Sequence, residues 1–260
     1  MRVRHFALGC ALAGALGLVV PPSAAAHAAS TARAASSRSP VAAVAARKAT
    51  PALSIRTSAT TYAYASRVVL TVTLSRTHAN RTVSIYAAPV GLRRWLWHQG
   101  RVGSGGKLRV YFRLTRTTTF TVVFGGDGRD APVRTSRTLN AVAGVANAVS
   151  GYYKKTTVGG ITYYVFHASK TLVLRATVSP NKHGECLKPE TQQWDTGSGW
   201  TDDTAYGCDS LDRGSHDSAP FNLAQAVGDR YRIRADYVRG ARDLANLSGS
   251  GRWLYLMVVQ

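Results

Sequence analysis

The residue types best suited to bind a ligand lie in one octapeptide, KLRVYFRL, which runs from Lys107 to Leu114. Large apolar residues alternate with polar ones along it, so a β-strand would bring Lys107, Arg109 and Arg113 to one face at spacings of about 7 Å. A row of cations at this spacing attracts a chain of anionic groups. The octapeptide therefore predicts a polyanion-binding stripe on the outer surface of a sheet.

The positive charge of the sequence is concentrated in its first half. Positions 1–126 contain no Asp or Glu, and residues 29–141 carry 18 Lys and Arg against 2 Asp. Residues 142–260 are nearly balanced, with 13 Lys and Arg against 11 Asp and Glu. The first half is therefore expected to attract polyanions.

Wall teichoic acid, acidic polysaccharide, anionic lipid head groups and extracellular nucleic acid all fit this charge. No feature predicts a specific nucleic-acid site, and we take an anionic cell-wall polymer or acidic polysaccharide as the predicted partner. The alternative needs no ligand, because an arginine-rich composition, with 26 Arg against 7 Lys, would place arginine on any solvated face.

The first 28 residues have the pattern of a secretory signal peptide. Arg2 and Arg4 form a basic start, an uncharged apolar run covers residues 6–20, and small residues lead to a cleavage point after Ala28. The run is shorter than the roughly 20 residues that a membrane-spanning helix needs. The sequence predicts a secreted, extracellular or wall-associated protein without a transmembrane segment in the mature chain. An uncleaved anchor and lipidation at Cys10 are the alternatives.

Export leaves Cys186 and Cys208, an even number in an oxidising compartment, which predicts a structural disulfide between them. Their midpoint lies in the turn-prone run at residues 196–199, and the same centre pairs Trp194 with Trp200. Both observations fit one β-hairpin with the two cysteines directly opposed, at a Cα separation that a disulfide accepts.

The sequence offers no convincing set of catalytic, cofactor-binding or metal-binding residues, so neither an enzyme activity nor a cofactor is predicted. It has no Gly-x-Ser-x-Gly elbow, no His-Glu-x-x-His and no glycine-rich phosphate loop. One acidic loop is a weak calcium candidate, but it lacks EF-hand spacing and is predicted to be a plain polar loop. Its acidic residues are Asp202, Asp203, Asp209, Asp212 and Asp217.

Short alternating patterns from residue 51 onward predict β-strands. Every second residue is large and apolar at positions 68–74, 108–114 and 120–124, and about seven such strands fit residues 51–141. This strand number is typical of an immunoglobulin-type sandwich.

The same structural unit occurs twice in the sequence. VVLTVTLS at positions 68–75 and LVLRATVS at 172–179 share four residues, and FTVVF from Phe120 alternates like IRADY from Ile233. Such self-similarity predicts a tandem repeat. The predicted fold class is all-β, with two tandem immunoglobulin-like β-sandwiches. The predicted segments are a signal peptide (1–28), a disordered Ala/Ser-rich tether (29–50), a basic sandwich (51–141) and a second sandwich with the disulfide hairpin (142–260).

Two longer stretches resemble a known family. TRTTTFTVVFGGDGRDAPVRTSRTL, which begins at Thr115, and DRYRIRADYVRGARDLANLSGSGRWLYLMV, which begins at Asp229, resemble the tandem immunoglobulin-like repeats of secreted actinobacterial proteins. The resemblance implies an extracellular β-sandwich that acts as a spacer, adhesive or binding module, usually without chemistry of its own. It supplies no catalytic residues.

These observations favour a secreted, non-enzymatic binding or spacer protein that associates with anionic envelope polymer through its basic first sandwich. A structural adhesion or assembly module acting through protein contacts is the alternative, and it predicts an exposed apolar patch. An extracellular hydrolase is the remote alternative. Trp95, Trp97, Trp194 and Trp200 could stack on sugar rings, but buried tryptophan is common in such sandwiches, and all four are predicted to pack in the cores.

Overall fold

The computed structural model describes residues 47–224 and 226–260, and every helix or strand assigned within these ranges is a β-strand. The predicted signal peptide and residues 29–46 of the predicted tether lie outside the described residues. Within the described ranges, no helix is long and apolar enough to cross a membrane.

The first sandwich is built from eight strands, close to the number that the alternation predicts. They are β1 (Leu53–Arg56), β2 (Thr61–Ala63), β3 (Ser66–Leu74), β4 (Thr82–Pro89), β5 (Trp95–Arg101), β6 (Lys107–Leu114), β7 (Thr118–Phe124) and β8 (Val133–Val142). One sheet has the order β1-β3-β6 and the other has the order β2-β8-β7-β4-β5. Neighbouring strands are antiparallel except β2 and β8, which are parallel.

The core of the first sandwich lies between these two sheets and follows from the period of two in each strand. On β3, Leu70, Val72 and Leu74 are fully buried, and on β7, Phe120 and Phe124 are fully buried opposite them. The residues between them on each strand face outward. A strand that buries its apolar residues in this way must present its charged residues to solvent.

The second sandwich contains eleven strands. They are β9 (Gly144–Ser150), β10 (Lys154–Val158), β11 (Ile161–His167), β12 (Thr171–Ser179), β13 (Cys186–Asp195), β14 (Gly199–Ala205), β15 (Asp209–Ser210), β16 (His216–Asn222), β17 (Arg230–Val238), β18 (Gly249–Ser250) and β19 (Leu254–Val259). The smaller sheet has the order β16-β12-β9, and the larger has the order β10-β11-β19-β17-β13-β14, with β15 on β13 and β18 on β17. The pair β11 and β19 is parallel.

The two sandwiches share one topology, which confirms the predicted repeat and the all-β sandwich fold class. In each, a three-stranded sheet lies against a larger sheet. An early strand of the larger sheet, β2 or β11, pairs in parallel with the last strand of that sandwich, β8 or β19. The similar octapeptides occupy the equivalent strands β3 and β12, each at the centre of its three-stranded sheet. The segments FTVVF and IRADY occupy the equivalent strands β7 and β17. This division of strands between two sheets is that of an immunoglobulin-like sandwich.

A single residue, Ala143, separates the last strand of the first sandwich from the first strand of the second. The domain limits proposed from the sequence, 51–141 and 142–260, place this boundary one residue before the end of β8. Residues 243–247, which we call the junction segment, hydrogen-bond to both sandwiches. The amide of Thr117 donates to the carbonyl of Ala245 (2.7 Å), and the amide of Leu247 donates to that of Ala141 (2.8 Å). The Asn246 side chain, fully buried, donates to the Thr115 carbonyl at 3.0 Å.

The predicted hairpin exists, and its turn has the predicted centre. Trp194 pairs with Trp200 and Asp195 pairs with Gly199, which places Gly197 at the middle of the loop. The Asp195 carboxylate accepts the amides of Gly197 and Ser198, at 2.9 and 2.8 Å, and these hydrogen bonds close the turn.

The disulfide between Cys186 and Cys208 is confirmed, with a Cα separation of 5.2 Å, but the direct opposition of the two cysteines is wrong. The register shifts between Glu190 and Gln192, and Cys186 pairs with Ser210 instead. The reason is that the returning segment holds extra residues, in a bulge and in the gap between β14 and β15. The bridge therefore runs diagonally between strand partners.

Candidate polyanion-binding face

The residues predicted to bind polyanions lie on the outer surface of the three-stranded sheet of the first sandwich. On β6, Val110 and Leu114 point into the core, and this fixes Lys107, Arg109 and Arg113 on the opposite side, where all three are exposed. The structure thus places the three cations on one strand face, while their binding of an anion remains a prediction.

Two cations that the sequence analysis did not include join them from neighbouring strands. Arg67 on β3 lies directly opposite Arg113, and Arg56 on β1 is paired with Thr71, the β3 residue that lies opposite Arg109. The alternation of β3 already places Arg67 outward, but its neighbours follow only from the strand register. We call the resulting set the basic face. It consists of Arg56, Arg67, Lys107, Arg109 and Arg113, all exposed.

The basic face brings like charges together. Directly opposed residues of antiparallel strands lie about 4.5 to 5.5 Å apart, and like charges at this distance destabilise the pair. Arg67 and Arg113 are such a pair. The Arg67 guanidinium also lies 4.0 Å from the ring centroid of Tyr111, a cation–π contact that holds it on the sheet. An anion bound between the two arginines would relieve their repulsion.

Hydroxyl groups accompany the cations in a surface depression of about 570 Å³. Arg56 and Lys107 line it, and its hydroxyl-bearing residues are Ser54, Thr57, Ser58, Thr71 and Thr73. A second depression of about 490 Å³ meets the first at Thr73 and adds Arg76 and Arg81. The surface can therefore donate hydrogen bonds to uncharged oxygen atoms as well as to anions.

The carboxylates of the first sandwich do not neutralise this face. Asp127 accepts the backbone amides of Ala79 and Asn80 at 2.8 and 3.0 Å, and Asp130 accepts that of His78 at 2.6 Å. These amide hydrogen bonds hold the pKa of Asp127 well below its usual range. Both carboxylates thus serve as hydrogen-bond acceptors for the backbone of a loop. Within residues 47–224 and 226–260, all three salt bridges lie in the second sandwich.

The tryptophans only partly follow the prediction of core packing. Trp97 packs edge-on against Phe112 and Phe120, with ring centroids 5.1 and 5.9 Å apart. Core packing is wrong for Trp95 and Trp194, which are each 40% exposed. For Trp95 the reason is its place at the end of an edge strand, and for Trp194 it is the closeness of the hairpin turn.

The acidic loop has structural roles. The Asp212 carboxylate accepts hydrogen bonds from the backbone amides of Gly214 and His216, both at 2.8 Å. The Asp202 carboxylate accepts a hydrogen bond from the side-chain amide of Gln192 at 2.7 Å. Over the part of the chain that the structure describes, no three His, Cys, Asp or Glu side chains are grouped closely enough to hold a metal ion.

Comparisons with known proteins identify no family for this chain. No family model matches the sequence, and no curated protein matches it. Among solved structures, the D0-D1 domain of intimin is similar at a TM-score of 0.27 and 9% identity, over 78% of this chain and 97% of that one. The BSP domain of a biofilm-associated protein is similar at a TM-score of 0.25 and 9% identity, over 79% of this chain and only 30% of that one.

Proposed function

We propose that this protein is a secreted, non-enzymatic tandem immunoglobulin-like module that attaches to an anionic cell-envelope polymer through the basic face. The observation that carries the proposal is the set of five exposed cations in register on one sheet, without a carboxylate partner. Export is supported by the disulfide between Cys186 and Cys208, because such bonds persist in oxidising compartments. The resemblance to repeats of secreted actinobacterial proteins remains a prediction.

The shape of the face favours a chain rather than a compact ion. The β3 residues from Arg67 to Thr73 span about 20 Å along the strand, and the two depressions that meet at Thr73 extend the path. Repeated anionic groups along one polymer could therefore contact several cations at once. Such contacts are exposed, so each is weak and the sum decides the affinity.

Removing the five charges is expected to weaken binding to purified cell-wall polymer at least about fivefold, since each exposed contact contributes about 0.2 to 1 kcal/mol. The variant replaces Arg56, Arg67, Lys107, Arg109 and Arg113 by Gln. Binding of the wild type should also fall steeply as NaCl rises, because salt screens exposed charges. Retention on immobilised polymer across a salt series measures both effects.

A matched control separates the basic face from net charge alone. It replaces five other exposed cations of the first sandwich by Gln, namely Arg93, Arg94, Arg101, Arg129 and Arg134. The control loses the same charge, and we expect it to stay within about threefold of wild type. Equal losses in both variants would mean that the charge acts without a defined site, and salt-independent retention would contradict the proposal.

A protein-binding role is the second candidate, and exposed apolar residues at the β4–β5 turn favour it. Leu92, Trp95 and Leu96 are 56%, 40% and 50% exposed, beside the exposed Arg93 and Arg94. If this turn is an adhesive contact, replacing Leu92 and Leu96 by Ser should abolish self-association or partner capture and leave the fold intact. Sedimentation and pulldown from envelope fractions would measure it, and unchanged association would exclude the turn.

A further inference from the structure

The second sandwich contains a cavity of about 250 Å³ between its two sheets. Its inner wall comes from the core, with Leu172 on β12, Ile233 on β17 and Leu256 on β19. Polar residues make up about half of the lining, namely Thr191, Asp203, Thr204, Tyr206, Asn222 and Tyr231. These three side chains are at most 3% exposed. The cavity therefore reaches the core from the end of the sandwich where β17 begins, and it is open to solvent on its polar side.

The volume of the cavity sets the size of ligand that it can hold. A larger side chain at the small residue Ala226, which lines the cavity, would fill it. Apolar cavities of about 150 Å³ admit benzene. The cavity is thus large enough for a substituted aromatic ring.

The rim of the cavity is polar and carries negative charge. Asp203 is exposed at the rim, where one of its carboxylate oxygens accepts the hydroxyl of Thr191 at 3.3 Å. The Tyr231 hydroxyl donates to Asp229 at 3.2 Å. Burial, followed by the charge of Asp229, raises the pKa of Tyr231 to about 12, so the phenol stays neutral. None of the described residues that line the cavity is Lys or Arg.

Two aromatic rings complete the rim. Tyr206 and Phe221 line the opening and contact each other edge-on, with centroids 5.2 Å apart. The faces of aromatic rings attract cations, and more strongly where water is partly excluded. A carboxylate and aromatic rings at the mouth of a cavity with an apolar inner wall are the groups that recognise an ammonium ion attached to a hydrocarbon body.

We propose that this cavity binds a small organic ammonium ion, with the apolar body among Leu172, Ile233 and Leu256 and the ammonium group at the rim beside Asp203 and Tyr206. The site lies in the second sandwich and is independent of the basic face. The same protein would then attract anions with one sandwich and a small cation with the other.

The test uses the purified full chain and three probes of similar shape: 2-phenylethylammonium, 2-phenylethanol and 3-phenylpropionate. Methyl NMR follows Leu172, Ile233 and Leu256 during each titration, and the methyls of Leu70 and Leu74 in the first sandwich serve as internal controls. We expect the ammonium probe to shift only the second-sandwich methyls and to bind at least about tenfold more tightly than the alcohol, because the charge-assisted contact is absent from the alcohol.

Two carboxylate variants test the rim. Asp203→Asn should bring the ammonium probe to within about twofold of the alcohol, because the carboxylate that attracts the cation is gone. Asp202→Asn is the matched control, since the neighbouring Asp202 is instead bonded to Gln192. It should leave the preference unchanged. An ammonium preference that survives Asp203→Asn, or falls equally in both variants, would overturn the assignment to Asp203.

Filling the cavity tests the location. Ala226→Phe should abolish binding of the ammonium and the alcohol alike. If this variant does not fold, nuclear Overhauser contacts between the probe ring and the Ile233 and Leu256 methyls of the wild type locate the probe instead. Absence of any methyl shift at millimolar probe, or tighter binding of the alcohol or the carboxylate, would overturn the proposal.

Discussion

Asp243→Ala is expected to lower the free energy of unfolding by about 3 to 5 kcal/mol, because it leaves the buried Lys182 ammonium without the carboxylate that balances its charge. The two side chains are 9% and 6% exposed, and Lys182 Nζ lies 2.6 Å from Asp243 Oδ2. The Tyr237 hydroxyl donates to the same carboxylate oxygen. Chemical denaturation of the variant and the wild type, followed by far-UV circular dichroism, measures the difference.

The Asp243 carboxyl is ionised at neutral pH. Burial alone would raise the pKa of the Asp243 carboxyl, but hydrogen bonds from Lys182 and Tyr237 outweigh burial and lower this pKa below its usual value. Burial, together with the hydrogen bond to Asp243, raises the pKa of the Tyr237 hydroxyl, which therefore remains a donor. Removal of the carboxylate thus leaves the buried cation with the Asn246 amide oxygen as its acceptor but no balancing charge, and it leaves the Tyr237 hydroxyl without the acceptor shown here.

The effect should extend to the contact between the sandwiches, because Asp243 begins the junction segment. Asp243 also accepts the amide of Ala245 at 3.0 Å, and Lys182 donates to the Asn246 side chain at 3.0 Å. In turn, Ala245 is hydrogen-bonded to Thr117, and Asn246 is hydrogen-bonded to Thr115, both in the first sandwich. Hydrogen exchange of residues 115–117 should accelerate in Asp243→Ala as well as that of residues 243–247.

Glu190→Gln is the control for this prediction. Lys188 and Glu190 form a salt bridge at 3.0 Å with side chains 34% and 31% exposed, and removing such a pair costs about 0 to 1 kcal/mol. Lys182→Met combined with Asp243→Leu should recover part of the stability, because apolar groups replace both charges. A loss in Asp243→Ala no larger than that in Glu190→Gln would show that the pair is not essential to the fold.

Local patterns in the sequence are sufficient to predict the strands and the residues on the outer face of β6, because alternation decides which side chains pack in the core. Leu70 and Phe120 fall inside by this rule, and Arg109 and Arg113 fall outside. The partners of those cations depend on register between strands. Arg67 lies 46 residues from Arg113 and becomes its neighbour only through the pairing of β3 with β6. No short-range pattern contains that information.

Sites assembled from distant segments could not be predicted from the sequence for the same reason. Lys182, Tyr237 and Asp243 come from three separate stretches, and each alone looks like an ordinary polar residue. The cavity could not be predicted either, because the space left between the sheets depends on how side chains pack. The bulge near Glu190 and the gap between β14 and β15 likewise displaced the cysteine register, while the turn kept its predicted centre.

Replacing both Cys186 and Cys208 by Ser is expected to destabilise the second sandwich by about 3 kcal/mol. The bridge closes a loop across a sequence separation of 22 residues, and opening it restores conformational entropy to the unfolded chain. The serine side chains themselves should reduce the stability little, because Cys186 is half-buried and Cys208 is exposed. Hydrogen exchange in denaturant, read separately for β3 and β12, measures the stability of each sandwich.

The reduced wild type distinguishes the cross-link from the substitutions. If the bridge acts by restricting the unfolded chain, wild type in reductant and the double Ser variant should unfold at the same denaturant concentration, and both should fall below the oxidised wild type. The core around β3 should keep its stability in all three, because the bridge lies wholly within the second sandwich. A variant within about 0.5 kcal/mol of the oxidised protein would show that packing around Leu187 and Tyr237, both 1% exposed, already fixes this part of the sheet without the covalent bond.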